Sequence, residues 1–184
     1  MSRRAEAKEL FRQARDQPSD ISEHLERMRD LAVHCDHITE FGVRAGVSTT
    51  AWIAARPKTL VCYDIQRCAE VDQLARVARR IGIDFTFHQQ DVLQTTIVRT
   101  DLLFIDTLHT YDQLQAELER HAAQVRRYIV LHDTETFGQI GEMPGTRGLW
   151  FAVEEYLARH PEWHLLERRT NNNGLTILAK VKSR

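Results

Sequence analysis

The sequence contains, at residues 37–55, the stretch HITEFGVRAGVSTTAWIAA. Its first five residues have the pattern of a short strand, two glycines follow four positions apart, and the rest has the apolar content of a helix. We therefore predict a strand over residues 37–41, a glycine-bearing turn, and a helix over residues 48–55. A strand, a turn and a helix in this order are typical of an α/β fold.

The same alternation continues along the chain. We predict further strands over residues 59–64, 84–88, 101–106 and 128–132, separated by helices whose apolar residues recur every three or four positions. Strands that alternate with helices predict right-handed crossovers and a mainly parallel sheet covered on both faces. Residues 163–168 and 175–181 are strand-like, and the Asn173-Gly174 pair between them predicts a tight turn. We expect a doubly wound, mostly parallel sheet that ends in an antiparallel hairpin.

Length and charge limit the class of protein. The chain has 184 residues, with 25 Lys and Arg against 26 Asp and Glu, which predicts one domain over residues 1–184: a helical cap (residues 1–35) and an α/β core (residues 36–184). A nearly neutral chain offers no broad attraction for nucleic acid or an anionic membrane. Without a secretory signal, a long apolar stretch or a CxxC pair, we expect a cytoplasmic protein that has no disulfide framework or zinc knuckle.

Polar residues follow three of the predicted strands, at the strand ends where open parallel sheets bind ligands. Gly42 and Gly46 allow a tight turn, and Ser48 or Thr49 can cap a helix whose amides favour a carboxylate or phosphate. Asp64 ends the second strand, where a carboxylate can accept both hydroxyls of a ribose. Asp91, after the third strand and beside Val92, is placed to meet an adenine amine.

The spacing of the first segment argues against a dinucleotide site. The pattern E-x-G-x-x-x-G departs from G-x-G-x-x-G, and Arg44 stands where that fingerprint requires glycine. At this point the sequence resembles the class I S-adenosylmethionine-dependent methyltransferases over almost its whole length. The resemblance implies a seven-stranded sheet with a reversed terminal hairpin, S-adenosylmethionine as cofactor, and the following residues facing it: Glu40, Gly42, Gly46, Asp64 and Asp91. Ser48, Thr49 and Val92 are further candidates for cofactor binding. The alternative is that these residues serve only as turns and caps.

A second group of polar residues follows the fourth and fifth strands. Neighbouring parallel strands lie about 4.8 Å apart, so residues just past both ends can converge on one ion or substrate. Asp106 and Asp133 would supply oxygen ligands for magnesium or manganese, and a nitrogen from His132 or His109 would shift the preference toward manganese, iron or zinc. His109, as a neutral imidazole near pH 7, also suits a general base.

Simpler roles are open to the same residues. Asp106 could cap the helix that begins near Thr110, His109 could be a surface residue, and His132 could bond a backbone carbonyl.

Four stretches narrow the resemblance: FIDTLHTYDQLQAEL, YIVLHDTETFG, GLWFAVEEYL and NNNGLTIL. They are similar to the macrocin O-methyltransferase and cephalosporin-hydroxylase-like family, in which an aspartate after the fourth strand and an acidic pair after the fifth bind a divalent metal. The resemblance places these metal-binding roles on Asp106 and Asp133, and that of a proposed base on His109. His132 replaces the first acid of the pair, which leaves the metal and the need for it open. Relatives in this group form homo-oligomers, so the resemblance also implies self-association.

The predicted activity is metal-assisted O-methylation of a small hydroxylated acceptor, a sugar or a vicinal diol. The loop over residues 138–148 is a candidate lid, and Phe137, Trp150 and residues 171–173 are candidates for lining the acceptor pocket. The alternatives are that Trp150 packs in the core, which is favoured, and that residues 171–173 serve only the turn. Two other functions are open. One is a metal-dependent oxygenase, because two histidines and a carboxylate resemble an iron facial triad. The other is a non-catalytic protein that binds S-adenosylmethionine.

Overall fold

The computed structural model describes residues 3–181, and residues 1–2 and 182–184 of the predicted domain lie outside this range. The helices are α1 (Arg3–Asp16), α2 (Leu25–Ala32), α3 (Val47–Ala55), α4 (Glu70–Arg80), α5 (Tyr111–His121) and α6 (Leu149–Arg159). The strands are β1 (His37–Phe41), β2 (Thr59–Asp64), β3 (Asp84–Gln89), β4 (Thr100–Ile105), β5 (Val125–His132), β6 (Trp163–Arg169) and β7 (Leu175–Lys180). Among residues 3–181, the helices all fall short of the length and hydropathy that crossing a bilayer requires.

The strands form a seven-stranded sheet in the order β3-β2-β1-β4-β5-β7-β6. β1 pairs with β2, β2 with β3 and β4 with β5, all in parallel. β7 pairs antiparallel with both β5 and β6. The predicted fold class, a mostly parallel α/β sheet with a C-terminal antiparallel hairpin, is confirmed.

The chain divides into two compact units, one that ends at Asp91 and one that begins at Val92. This boundary differs from the predicted division between a cap and a core, and the single domain stays a prediction. In the first unit, α1 and α2 pack against α3. The apolar side chains of α2, spaced three or four residues apart, are buried: Leu25, Met28, Leu31 and Ala32. Their spacing marks the packed face of this part of the predicted helical cap, and a 3₁₀ turn, Ser22–His24, precedes α2.

The most deeply buried strand, β4, lies in the second unit. Every residue of β4 is buried, which suits a parallel strand covered on both faces. β5 begins at Val125, three residues before the predicted start. The pattern concealed this extension because Arg126 and Arg127 interrupt the apolar run, but Arg126 is exposed and its Nε lies 2.9 Å from Asp101 Oδ1.

The turn between β6 and β7 lies where the Asn173-Gly174 pair predicts it. Asn172, Asn173 and Gly174 have φ values of 45°, 68° and 96°, a region that asparagine and glycine tolerate better than other residues. The amide of Gly174 donates to Asn171 O at 2.9 Å, and Asn173 O accepts from the amides of residues 135 and 136. Residues 171–173 therefore serve the turn and hold it against the segment that follows β5.

Candidate active site

The glycine-bearing loop follows β1 in the first unit. Gly42 and Gly46 have φ values of 78° and 77°, where residues with a side chain are strained. A Cβ atom on Gly46 would also overlap the Leu74 side chain. The expectation that these two glycines form a tight turn is confirmed.

Arg44 shares this left-handed conformation, with a φ of 49°. Its amide donates to Asp64 Oδ2 at 2.9 Å, and the amide of Val43 donates to the same oxygen at 2.8 Å. The Arg44 guanidinium donates to Asp20 Oδ2 at 2.9 Å. The loop can therefore carry arginine at this position because the Asp64 carboxylate holds two successive amides in place.

Asp64 has a structural role that the sequence did not predict. Besides the two loop amides, it accepts from the amide of Gln66, which donates to Oδ1 at 2.9 Å. An ionised carboxylate has about four acceptor positions, so three are used and one is left. The expectation that Asp64 accepts the hydroxyls of a ribose stays a prediction, and one of its acceptor positions is left for such a contact. The side chain of the next residue, Ile65, is 69% exposed. The only sequence signal for this exposed residue was a single apolar side chain directly after the carboxylate that ends β2.

Glu40 lies inside the protein, with none of its surface exposed. Its carboxylate accepts from Ser48 Oγ at 2.6 Å, Thr49 Oγ1 at 2.8 Å, Trp52 Nε1 at 3.0 Å and Cys62 Sγ at 3.2 Å. Its donors come from β2 and α3, so Glu40 ties these elements to β1. The expectation that its side chain faces a cofactor is not met in this structure, because those donors surround it.

Burial and these donors act in opposite directions on Glu40. Burial raises the pKa of the carboxyl to about 7, although hydrogen bonds from Ser48, Thr49, Cys62 and Trp52 lower it. Burial also raises the pKa of the Cys62 thiol, and so does the neighbouring Glu40 carboxylate.

The expectation that Ser48 or Thr49 caps α3 is wrong. The helix begins at Val47 with Gly46 as its N-cap, and no side chain caps it. The hydroxyls of Ser48 and Thr49 instead donate to Glu40 from within the first turn. The amides of this turn therefore have no side-chain cap. This leaves them available for the expected binding of an anionic group.

Asp91 and Val92 differ in exposure. Asp91 is exposed, which leaves its predicted contact with adenine open. The Val92 side chain is 5% exposed, and its carbonyl oxygen lies 3.0 Å from His121 Nε2. A side-chain contact from Val92 to a cofactor is therefore not available in this structure.

Four predicted residues meet after β4 and β5 in the second unit. His109 Nε2 lies 3.1 Å from Asp106 Oδ1 and 3.0 Å from Asp133 Oδ2. His132 Nδ1 lies 3.4 Å and 3.3 Å from the same two oxygens. All four side chains are mostly buried. We call Asp106, His109, His132 and Asp133 the carboxylate–histidine cluster, and their predicted convergence is confirmed within this unit.

The charges of the cluster balance in the absence of metal. Burial lowers the pKa of His109 and of His132, but hydrogen bonds to Asp106 and Asp133 raise each to about 10. Burial raises the pKa of both carboxyls, but hydrogen bonds from the two histidines bring each below its usual value. In the absence of metal these contacts favour the imidazolium form of His109 near pH 7, and its role as a general base stays a prediction.

Asp106 does not cap α5. The N-cap is Thr110, whose hydroxyl accepts from the amide of Gln113 at 3.4 Å. Asp106 is thus available to the cluster, and the simpler alternative for this residue is excluded.

Asp133 combines backbone strain with an unsatisfied oxygen. Its φ is 58°, a conformation that strained residues at functional sites often adopt. Its side chain is 4% exposed, and among the described residues Oδ1 has no hydrogen-bond partner. A buried carboxylate oxygen without a partner is costly, and a cation would satisfy it.

The donor set of the cluster fits a divalent metal. One ligand atom each from Asp106, His109 and Asp133 lie within 4.8 Å of one another. Two carboxylates and an imidazole are a common ligand set for manganese, iron and zinc. These distances and the unsatisfied Oδ1 of Asp133 both support a divalent metal at the cluster.

Two further residues fix His109, and one of them was missed in the sequence. Glu142 Oε2 lies 2.9 Å from His109 Nδ1 and accepts from the His109 amide at 3.3 Å. The Phe137 ring stacks on the imidazole at 4.9 Å with an interplanar angle of 6°. Phe137 was predicted as part of an acceptor pocket, whereas Glu142 lies 33 residues from His109 and no local pattern indicated it.

The loop over residues 138–148 forms a hairpin. Ile140 and Arg147 form an isolated antiparallel bridge, and the Gly148 amide donates to Gln139 O at 3.0 Å. The Ile140 side chain is 73% exposed. The expected role of residues 138–148 as a lid stays a prediction. Trp150, at the start of α6, is 6% exposed and lies under the Arg168 guanidinium, so it packs in the core.

Comparison with known proteins gives the family. A family profile described as a methyltransferase domain matches residues 39–134, which is more than half of the chain. The chain belongs to this methyltransferase family. No curated protein sequence is significantly similar to it.

Solved structures support the class I methyltransferase fold. An O-methyltransferase from Bacillus cereus in complex with SAH has a TM-score of 0.64 at 16% identity, covering 99% of this chain and 91% of that one. Magnesium protoporphyrin IX methyltransferase from Synechocystis with bound SAH has 0.64 at 17%, covering 95% and 93%. A ribosomal protein L11 methylase from Lactobacillus delbrueckii subsp. bulgaricus has 0.59 at 12%, covering 87% and 79%. The names of the last two neighbours specify different acceptors, so this fold serves more than one class of acceptor.

The expected membership of the class I methyltransferases is thus confirmed in family and fold. The narrower resemblance to the macrocin O-methyltransferase group stays a prediction, as do the cytoplasmic location and the homo-oligomer.

Proposed function

We propose that this methyltransferase transfers a methyl group from S-adenosylmethionine to an oxygen of a small hydroxylated acceptor, a sugar or a vicinal diol, with the help of a divalent metal. The observation that carries the proposal is the buried carboxylate–histidine cluster in a chain of this family. A pure binding protein has no need of a buried, strained carboxylate with an unsatisfied oxygen.

The first unit supplies the proposed cofactor contacts. The uncapped start of α3 can bind the carboxylate end of the cofactor. Asp64 has one acceptor position left for a ribose hydroxyl, and Ile65 offers an exposed apolar surface for a flat ring. Asp91 would accept from the adenine amine. When bound, S-adenosylmethionine supplies a methyl group on a positively charged sulfur, so little acid–base power is required of the protein.

The second unit supplies the proposed acceptor site. Asp106 and Asp133 would hold the metal, with a histidine of the cluster as a nitrogen ligand. A bound divalent ion would hold the acceptor oxygen and lower the pKa of its hydroxyl. The protein must then orient that oxygen toward the methyl carbon. Two roles are open to His109, proton acceptor or metal ligand.

The test is binding of S-adenosylhomocysteine to the full chain by titration calorimetry. We expect micromolar binding, weakened about 10- to 100-fold by Asp64→Asn, because this substitution removes a charged hydrogen-bond acceptor. Asp84→Asn, an exposed carboxylate of β3, is the matched control and should bind like the wild type. Absence of both heat and a thermal shift in the wild type would exclude the proposal.

One observation favours a second function. Two histidines and two carboxylates in one cluster also resemble an iron site of an oxygenase. Incubation of the iron-loaded protein with oxygen and 2-oxoglutarate distinguishes the two. Oxygen-dependent consumption of 2-oxoglutarate without S-adenosylmethionine would favour the oxygenase.

A further inference from the structure

The His109 ring is fixed on three sides. Its Nε2 lies about equally far, at 3.1 Å and 3.0 Å, from oxygens of Asp106 and Asp133. Its Nδ1 lies 2.9 Å from Glu142 Oε2, and Phe137 stacks on one face. Each ring nitrogen therefore faces a carboxylate, and the ring cannot turn without losing these contacts.

This arrangement is the one that histidine ligands of metals usually have. Such a histidine binds the ion through one nitrogen and donates the N–H of the other to a carboxylate, which fixes the tautomer and the orientation of the ring. In His109 the nitrogen that faces the two metal-binding carboxylates is Nε2, and the one that faces a separate carboxylate is Nδ1. A general base would instead direct a free lone pair toward the acceptor.

We propose that His109 is a ligand of the metal through Nε2, together with Asp106 and Asp133, and that Glu142 is the positioning residue that holds its ring. This inference rests on the metal-assisted transfer proposed above and assigns the nitrogen ligand. His109 lies closer to both carboxylates than His132 does, at 3.0–3.1 Å against 3.3–3.4 Å. His109 faces Oδ2 of Asp133, whereas the other oxygen of this buried carboxylate, Oδ1, has no hydrogen-bond partner among the described residues, so Asp133 retains an oxygen that can accept a cation.

Glu142 is itself held in place by the backbone. Its amide donates to His109 O at 2.9 Å, and its carboxylate accepts from the His109 amide at 3.3 Å. The neighbouring Gly141 allows this approach, because a Cβ there would come within 3.1 Å of His109 O and would overlap Thr146 Oγ1. The hairpin over residues 138–148 is thus built against His109, and its function includes the support of this side chain.

The ligand set predicts the class of metal. One imidazole nitrogen with two carboxylates suits manganese, iron, cobalt or zinc better than magnesium, which prefers oxygen ligands and water. We expect the protein to bind Mn²⁺ more tightly than Mg²⁺.

The first experiment measures Mn²⁺ affinity of the full chain by titration calorimetry. Glu142→Ala should weaken it about 10- to 100-fold, the usual effect of losing a carboxylate behind a histidine ligand. Glu142→Gln, whose amide oxygen can still accept from Nδ1–H, should weaken it less. The control is Glu119→Ala, which removes an exposed carboxylate of α5 paired with Arg159 and should have no effect. Wild-type affinity in Glu142→Ala would overturn the role of Glu142.

The second experiment identifies the nitrogen ligand by pulsed electron paramagnetic resonance of bound Mn²⁺. In His132→Asn we expect the coupling of an imidazole ¹⁴N to remain, and in the double variant His132→Asn/His109→Asn to disappear. Bound Mn²⁺ without nitrogen coupling in His132→Asn would overturn the assignment of His109.

Binding of S-adenosylhomocysteine is measured on the same samples. Retained cofactor binding with no nitrogen coupling refutes only the role of His109. Absence of S-adenosylhomocysteine binding to the wild-type protein refutes the proposed methyl transfer.

Discussion

Glu40 shows how a single buried carboxyl links charge to stability. Burial raises its pKa from 4.5 to about 7 even though four protein donors lower it. A carboxyl group with a raised pKa holds its proton more tightly in the folded state than in the unfolded state. The free energy of unfolding therefore falls as pH rises from about 4.5 to about 7.

This effect gives a prediction for Glu40→Gln. A rise in the pKa of Glu40 from 4.5 to about 7 corresponds to a change of about 3 kcal/mol in the free energy of unfolding. Glutamine removes this titration, and it still offers an oxygen to Ser48 and Trp52. We expect urea denaturation of the variant to depend less on pH between 4.5 and 7. The control is Glu154→Gln, an exposed residue of α6. An unchanged pH slope in Glu40→Gln would contradict the prediction.

Individual side chains also mark the limit of what the sequence could predict. The convergence of Asp106, His109 and Asp133 followed from strand ends and spacing alone. The inward turn of Ser48 and Thr49 toward Glu40 did not, because a hydroxyl can cap a helix or bond a buried acid with the same local pattern. Glu142 lies far from His109 in sequence, and only the path of the hairpin brings them together.

At the scale of elements, the alternation of strands and helices could be predicted because parallel strands and amphipathic helices have distinct periods. The predicted and observed boundaries differ where a charged residue lies inside an element, as Arg126 does in β5. The start of α3 was placed one residue late, because a left-handed glycine rather than a hydroxyl side chain precedes the helix.

The hairpin over residues 138–148 gives a prediction at this scale. A Cβ on Gly148 would overlap Gly138 O, which also accepts from the Trp150 amide at 2.9 Å. We expect Gly148→Ala to lower the free energy of unfolding by about 3 kcal/mol, as overpacking against backbone does, when measured by urea denaturation.

Gly145→Ala is the matched control in the same hairpin. A Cβ there meets no atom within 4 Å, and only its φ of 79° is unfavourable. The expected loss is about 1 kcal/mol. Equal losses in the two variants would mean that close packing of the hairpin does not contribute to stability.

At the scale of the whole molecule, the net charge is −1, and several ionisable groups have strongly shifted pKa values. In the metal-free protein the pKa of His109 and of His132 rises from 6.5 to about 10. A histidine with a raised pKa contributes stability that is complete below pH 6.5 and is lost as pH rises through 10. The lowered pKa values of Asp106 and Asp133 contribute stability that is lost in acid. The cluster therefore stabilises the metal-free protein most in mildly acidic solution.

We therefore expect the metal-free protein to lose stability between pH 6.5 and 10, measured by urea denaturation in EDTA. Mn²⁺ should oppose this loss, because metal ligands bind in their deprotonated form and binding becomes stronger as pH rises. The stabilisation by Mn²⁺ should thus be larger at pH 8 than at pH 6. The double variant His109→Asn/His132→Asn should lack the alkaline decline, and an equal decline in that variant would contradict its assignment to the cluster.

The left-handed backbone at Asp133 restricts which amino acids the position can accept. Glycine fits that conformation but brings no ligand, and asparagine fits it but brings no charge. Glutamate carries the charge, yet its longer side chain lacks the local hydrogen bonding that eases aspartate and asparagine into this region. Asp133→Glu, usually regarded as conservative, is therefore expected to disrupt the local backbone more than Asp133→Asn or Asp133→Gly. Attempts to redesign the metal preference should begin at position 106 or 109.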